Sequence, residues 1–194
     1  MQQKKTKIAI FASGTGSNAK AIIEYAKNAN YKVELIVSNK ENAGVLNFSE
    51  KYNIDALVID KQNFYSEKII LEFFKDRNIE LIILAGFLWL IPDYFIQAYK
   101  SKIINIHPSL LPKYGGKGMF GSNVHEAVFE AKENKSGITI HLVNKEYDKG
   151  EILLQKVIDI SSFKSPKEIA QNILKLEHQF YPQIIEKFIT KNLL

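Results

Sequence analysis

Asn105 and His107 stand two residues apart in Asn105-Ile-His-Pro-Ser-Leu-Leu-Pro112, at the end of a short apolar run. In a strand, residues at that spacing face the same side. An Asn amide offers an uncharged N–H to an oxygen gaining negative charge, and a His exchanges a proton near neutral pH. A carboxylate beside the imidazole raises its affinity for a proton or relays protons. Asp148 is the candidate, because Lys149-Gly150 keeps the loop that carries it tight. Chemistry alone weighs this trio evenly against a structural Asn and His in front of a proline. The other histidines read more blandly. His141 alternates with Ile138, Ile140 and Leu142 as a structural strand residue, and His125 stands at a helix start. His178 beside Glu177 is either a helix-surface pair or part of a site wall.

Ser13-Gly-Thr-Gly-Ser-Asn18 offers a second chemistry, anion binding. It lies between an apolar run and a helical pattern. There, glycines let backbone N–H groups approach an anion, and the helix N-terminus adds the positive end of its dipole. Ser17 and Asn18 can bond phosphate oxygens or simply cap the helix. The same residues loosely match the dinucleotide fingerprint, as Gly14-x-Gly16-x-x-Ala19, which also wants an acidic residue ending the second strand. That strand ends here in Val37-Ser-Asn-Lys40, with Glu34 inside it. A mononucleotide phosphate is the better match.

Both groups need strands that end where the chemistry begins. Lys7–Ala12, Tyr31–Val37, Ala56–Ile59 and Leu81–Ala85 are compact apolar runs that predict strands, the last buried on both faces. Between them, Asn18–Asn28, Val45–Tyr52 and a segment after Ser66 with Ile69, Ile70, Phe73 and Phe74 predict helices. Strands alternating with helices indicate βαβ units, whose parallel sheet binds ligands at the C-terminal edge of its strands. Lys102–Ile106 continues the strands, and Tyr114–Gly121, with four glycines, reads as a mobile loop before a helix near Val124–Ala131. Ile138–Val143 and Ile152–Val157, joined by Asn144–Gly150, suit an antiparallel pair. Ser165-Pro-Lys-Glu168 is a capping box with Pro at the first helical position, opening a long helix that bends at Pro182. The expected fold is α/β: a single-domain, Rossmann-like three-layer fold over residues 1–194, with a mostly parallel mixed sheet of about seven strands and helices on both faces.

Composition narrows the classes. With 194 residues, 46% apolar, the chain fits one domain burying roughly 70% of its unfolded surface. It contains no Cys, which excludes disulfides, thiolate metal sites, Cys nucleophiles and CxxC redox motifs. The longest apolar stretch, Leu81–Ile91, has eleven residues, short of the ~20 that span a membrane. No signal peptide is visible, so the expected location is the cytoplasm. The net charge of +5 is compatible with an anionic substrate or nucleic acid, but the lysines are spread out and Arg77 is the only arginine. That pattern is a solvated lysine surface rather than a nucleic-acid footprint.

The motifs together resemble the phosphoribosylglycinamide formyltransferase family of folate-dependent purine synthesis. The resemblance runs nearly end to end, through Ser13–Asn18, Leu84-Ala-Gly-Phe87, Asn105–Pro112, Gly121-Ser-Asn-Val-His125, the Asp148 loop and Glu177-His178. The Asn-x-His-Pro-Ser segment is shared by formyltetrahydrofolate-using enzymes in general, and the Gly-Ser-Asn loop narrows the match to this member. Methionyl-tRNA formyltransferase carries an extra domain, and formyltetrahydrofolate deformylase an extra N-terminal regulatory domain. Neither is expected in 194 residues.

The resemblance implies that Gly16, Ser17, Asn18, Ala19 and Lys20 hold the phosphate of glycinamide ribonucleotide and that Glu177 meets its ribose or glycinamide part. It implies a folate pocket from Leu88, Trp89, Leu90 and Ile91, with Asn105 and the loop residues Asn144, Lys145, Glu146, Tyr147 and Asp148. Asn105, His107 and Asp148 would be the catalytic trio, with Asn105 and a protonated His107 on the oxyanion. The co-substrate would be 10-formyltetrahydrofolate, with no metal, nucleic acid or membrane involved, in a monomer or weak homodimer. Three departures stand out. Trp89 takes a position where many members carry Arg or another polar residue, changing the pocket rim. Lys113–Gly121 is longer and more Gly-rich than in several members, altering closure. An Arg that meets the folate near Glu67 in the family is represented by Lys68. Two other readings compete: a hydrolase releasing formate from the same folate, and a non-catalytic nucleotide-binding module. The phosphate loop argues against the first. The second leaves Asn105, His107 and Asp148 without a purpose.

Overall fold

Seven apolar runs pair into one sheet, because each carries a face that only a neighbouring layer can cover. The computed structural model describes residues 4–66 and 69–192. Glu67 and Lys68, and the folate contact expected beside them, lie outside the described residues. In chain order the strands are β1 (Thr6–Phe11), β2 (Tyr31–Ser38), β3 (Asp55–Val58), β4 (Leu81–Leu84), β5 (Ile103–His107), β6 (Lys135–Leu142) and β7 (Ile152–Asp159). Helices α1 (Ser17–Tyr25), α2 (Asn47–Tyr52), α3 (Lys61–Ser66), α4 (Ile69–Asp76), α5 (Asp93–Ala98), α6 (Ser122–Glu130) and α7 (Pro166–Asn192) connect and cover them. The sheet order is β3-β2-β1-β4-β5-β6-β7. β1 to β5 run parallel, and β6 is antiparallel to both β5 and β7. Strand order reverses between β1 and β4, and a sheet of this kind opens a ligand crevice at such a point.

Alternation along β1 divides the core. Ile8 and Ile10 join Ile22, Ile104, Ile140, Tyr181 and Ile185 on the face covered by α1, α6 and α7. Ala9 and Phe11 join Phe64, Phe74, Ile82 and Phe95 beneath α3, α4 and α5. The second layer is largely aromatic: Phe11 meets Phe87 edge-on at 5.2 Å and Phe74 at 5.8 Å. These aromatics therefore serve as core, and Phe87 and Trp89 also as cavity wall.

Some local expectations change. Helices α3 and α5 are six residues each and bury only Phe64, and Phe95 with Ile96, respectively, too few to register as a periodic pattern. Ile69, placed on the apolar face of its helix from spacing, is 59% exposed; Ile70 and Phe74 carry that face. The capping box at α7 closes one-sidedly: Glu168 N–H donates to Ser165 Oγ at 3.2 Å, while the Glu168 carboxylate accepts from Lys164 N–H. Helix α7 continues through Pro182 as one element of 27 residues. Pro182 lacks a single N–H, and burial of Tyr181, Ile185 and Ile189 on one face outweighs that loss. Among the described residues no helix is long and apolar enough to cross a membrane.

Tyr181 fastens α7 to the sheet. Its buried hydroxyl is 2.9 Å from the Leu84 carbonyl and 3.0 Å from that of Ile104, one on each of two adjacent strands. Tyr181→Phe leaves these carbonyls short of a donor in a dry environment and should cost about 1–3 kcal/mol of stability. Urea denaturation measures it; a loss below 0.3 kcal/mol, by an order-of-magnitude standard for neutral changes, would mean that packing alone holds α7.

Candidate active site

The polar cluster begins with strand register. Asn105 lies opposite His141 and His107 opposite Thr139 across the β5–β6 pair, so all four share one face. His141 Nδ1 is 2.8 Å from the Leu142 carbonyl, which can only accept, so Nδ1 carries the proton. Nε2 then offers its lone pair and accepts from Asn105 Nδ2 at 3.1 Å. One N–H of the Asn105 amide is thereby committed and the other is left for a ligand. His107 donates through Nε2 to the Tyr114 carbonyl at 2.7 Å, and its Nδ1 lies 3.6 Å from Asp148 Oδ2. Asp148 Oδ1 is also 3.6 Å from His141 Nε2, and Gly116 N–H donates to Oδ2 at 2.8 Å.

Burial decides the resting charges. It pushes the His107 imidazole down, and His141 adds to that, against the smaller upward pull of the Asp148 charge and the Tyr114 carbonyl. Burial also pushes Asp148 up, but His141, the His107 charge and Gly116 N–H together hold the carboxyl below its usual range. The free protein therefore presents a carboxylate beside a neutral His107 near pH 7. The protonated His107 expected on the oxyanion is therefore a form that the reaction has to generate. His125 is likewise pushed down, by burial and then by His107.

The glycine loop prepares the other end. Gly16 caps α1 with φ 79°, and no side chain caps that helix or places an acid in its first turn. A Cβ at Gly16 would come within 2.7 Å of the Val45 side chain, so only glycine brings the loop this close. The first-turn amides of α1 thus face the loop without a competing carboxylate. Asn18 donates through Nδ2 to Glu177 Oε2 at 2.7 Å. Glu177 is 8% exposed, and burial pushes its carboxyl up to about 7 against the opposing Asn18 hydrogen bond.

A cavity of about 740 Å³ joins these groups, a size that suits small-molecule ligands. Asn18 and Glu177 line it, and so do Asn105, His107 and Asp148. Leu88, Trp89, Leu90 and Ile91 form one wall, with Asn144, Glu146 and Tyr147 on the loop that carries Asp148. Trp89 is wedged among Phe64, Phe87 and Tyr65 at ring distances of 5.9, 6.1 and 6.2 Å. Ser13 Oγ accepts from Leu88 N–H at 3.0 Å, tying this wall to the glycine loop. Lys145 lies outside the cavity lining, its ammonium paired with Asp93 at 2.8 Å. Gly16, Ser17, Ala19 and Lys20 flank the cavity rather than line it. Ala19 is fully buried, and Lys20 Nζ lies 3.9 Å from Glu24. His141 and His125, read as structural, both line the cavity. The signal for His141 is the register opposite Asn105, which a single strand does not reveal.

The sequence pattern of the formyl transferase family matches residues 6–185, almost the whole chain. The chain belongs to the formyl transferase family. Within it, the chain is 38% identical over 192 residues to the phosphoribosylglycinamide formyltransferase of Bacillus subtilis (strain 168), covering 96% of each. It is 37% identical over 191 residues to the chloroplastic phosphoribosylglycinamide formyltransferase of Arabidopsis thaliana, covering 95% of this chain and 65% of that protein. The chain thus spans less than two thirds of the length of that plant relative. The crystal structure of the Bacillus halodurans phosphoribosylglycinamide formyltransferase superposes with a TM-score of 0.86 at 30% identity, covering 96% of this chain and 97% of that one. As a formyl transferase fold, the chain leaves the dinucleotide alternative without its acidic residue: Glu34 is paired with Lys7 at 2.7 Å and Lys32 at 2.6 Å.

The raised Glu177 makes stability depend on pH in a definite sense. Between its ordinary 4.5 and about 7 the folded protein binds the extra proton, so this group's contribution is lost as pH rises through about 7. Glu177→Gln keeps an acceptor for Asn18 and cannot ionise. The variant should gain on the wild type between pH 5 and pH 8, by up to about 3 kcal/mol in urea denaturation. A stability difference independent of pH would place the Glu177 carboxyl in ordinary ionisation.

Proposed function

We propose that residues 1–194 act as one formyltransferase domain, a cytoplasmic enzyme that moves the formyl group of 10-formyltetrahydrofolate to the amine of glycinamide ribonucleotide. The observation that carries this reading is the joining of two unlike ends in one cavity. One end is an anion-ready helix start with the Asn18–Glu177 pair. The other is the Asn105, His107 and Asp148 cluster. The names of the relatives point the same way.

In this mechanism the α1 amides, with Gly16, Ser17 and Lys20, receive the phosphate, and Glu177, about half protonated at pH 7, meets the sugar or amide part as a hydrogen-bonding group. The apolar wall of Leu88–Ile91 and the Asn144–Asp148 loop hold the folate. The neutral amine attacks the formyl carbon, a C–N bond forms, and the carbonyl oxygen becomes an oxyanion. The second Asn105 N–H stabilises that oxygen. As negative charge grows, the proton released by the attacking nitrogen is shared between His107 Nδ1 and Asp148, while Nε2–H stays on the Tyr114 carbonyl. The proton lost by the attacking nitrogen travels by way of Asp148 and water to the folate nitrogen as the old C–N bond breaks. Holding both substrates at attack distance supplies much of the rate. A hydrolase would need no phosphate-binding end.

The test follows tetrahydrofolate absorbance from 10-formyltetrahydrofolate with and without glycinamide ribonucleotide. Product should require the ribonucleotide. Asn105→Ala should lower turnover by about 10²–10³-fold, the effect of removing one oxyanion donor. His107→Ala should stop it. Formate release without the ribonucleotide would assign a hydrolase instead, and an Asn105→Ala variant with wild-type turnover would remove Asn105 from the reaction.

A further inference from the structure

We propose that Glu133 is a positioning residue, which acts through Tyr114 to hold the loop that sets both His107 and Asp148. The inference rests on the formyl-transfer reading for its kinetic consequence, but its geometry stands apart from it. Tyr114 O–H donates to Glu133 Oε1 at 3.0 Å, and Lys113 Nζ donates to the same oxygen at 2.8 Å. The backbone of Tyr114 faces the site: its carbonyl accepts from His107 Nε2, and two residues on, Gly116 N–H donates to Asp148 Oδ2. A shift of Tyr114 therefore moves the partners of both groups together.

The preceding backbone is held by other means, and those end at Lys113. Ser109 Oγ–H donates to the Lys113 carbonyl at 2.7 Å, Thr139 Oγ1–H to the Ser109 carbonyl at 2.7 Å, and Gln155 Nε2 to the Leu111 carbonyl at 2.8 Å. Tyr114 itself adopts φ 56°, the left-handed region that costs a non-glycine residue energy and persists only where neighbours enforce it. Its ring packs on the α7-side core, and the hydroxyl bond to Glu133 fixes the ring's outer end. Gly115 has no room to drift inward, since a Cβ there would lie 2.5 Å from the Leu111 side chain and 3.2 Å from Asp148 Cβ. Glu133 is anchored in turn, its N–H donating to the Val128 carbonyl at the end of α6. The exposed Lys113 ion pair contributes little by itself. The Tyr114 bond is the one that reaches the site.

The experiment combines kinetics with NMR titration of the His107 ring, which is faced by Asp148 from the β6–β7 loop, His141 from β6, His125 from α6 and the Tyr114 carbonyl. Glu133→Ala and Tyr114→Phe should each lower kcat about tenfold, with KM for both substrates within about twofold, a penalty typical of small misplacement. Both should move the His107 titration to lower pH, because the imidazolium loses its carbonyl acceptor. Glu133→Gln, which still accepts from Tyr114, should restore both values. The double variant should lose no more than either single one. An unchanged kcat, an unmoved His107 titration, or a Gln variant as impaired as Ala would each overturn the positioning role. The titration needs no turnover, so a wild type that fails to transfer formyl would sink the functional reading while this geometric test still returns its own answer.

Discussion

A carboxylate that is nearly removed from water sets the terms for the site. The Asp148 side chain is 11% exposed, yet the Gly116 N–H and the neighbouring imidazoles hold its carboxyl below the usual range. Burying a charge is tolerated only where hydrogen bonds and opposite charge replace the lost water. The surrounding structure can be derived from that need. Loop 144–149 closes on itself, with Asn144 Nδ2 donating to the Lys149 carbonyl, and presents Asp148 at φ 56°. The Gly-rich segment passes close enough to give its Gly116 N–H, which is why position 115 carries no side chain. The antiparallel turn of β6 brings His141 opposite Asn105, and its Nε2 faces the same carboxylate.

What could be read from sequence follows from how local each determinant is. The strands were legible because apolar alternation is a property of neighbours, as Ile8 and Ile10 against Ala9 and Phe11 illustrate. Asn105 and His107 were legible together because two residues apart on one strand means one face. His141 was not, since its role depends on register between β5 and β6, a long-range fact. The downward push on His107 is not legible for a related reason: burial of its ring is produced by distant segments, among them the loop that delivers the Tyr114 carbonyl. The resemblance implied the Asn144–Asp148 loop as a whole, but successive loop side chains diverge, and Lys145 pairs with Asp93. Helices α3 and α5 are too short for a helical period to emerge.

The two carboxyl groups of the cavity are driven in opposite directions by the same burial. Asp148 meets two imidazoles and a backbone N–H, and falls; Glu177 meets only the Asn18 amide, and rises to about 7. A pair of acids separated this way can serve different ends. One stays charged and can relay a proton between nitrogens. The other is about half protonated near pH 7, which in the proposed function lessens its repulsion of a phosphate-bearing ligand at the neighbouring helix start. Opposite signs at these two positions would defeat both tasks, so the number of donors around each carboxyl matters as much as its type.

In the proposed function, a preference for an amine over water is not set by the Asn105, His107 and Asp148 cluster alone, because either nucleophile would use the same oxyanion donor and the same proton relay. The preference has to come from holding the amine in place, which requires a fixed distance between the phosphate end and the reacting end. Helix α7 supplies it. Glu177 and Tyr181 are four residues apart, one turn along the same helix face. Tyr181 is fastened to the carbonyls of Leu84 and Ile104, on the strands that lead to the Leu88–Ile91 wall and to Asn105. The glycine loop is tied to that wall by Ser13 and to α7 by the Asn18–Glu177 bond. Helix α1, helix α7 and the ends of β4 and β5 therefore form a closed ring of hydrogen bonds around the cavity. In the proposed transfer, a phosphate held at one point of that ring would place the amine at another, and water, having no such handle, would gain nothing from it.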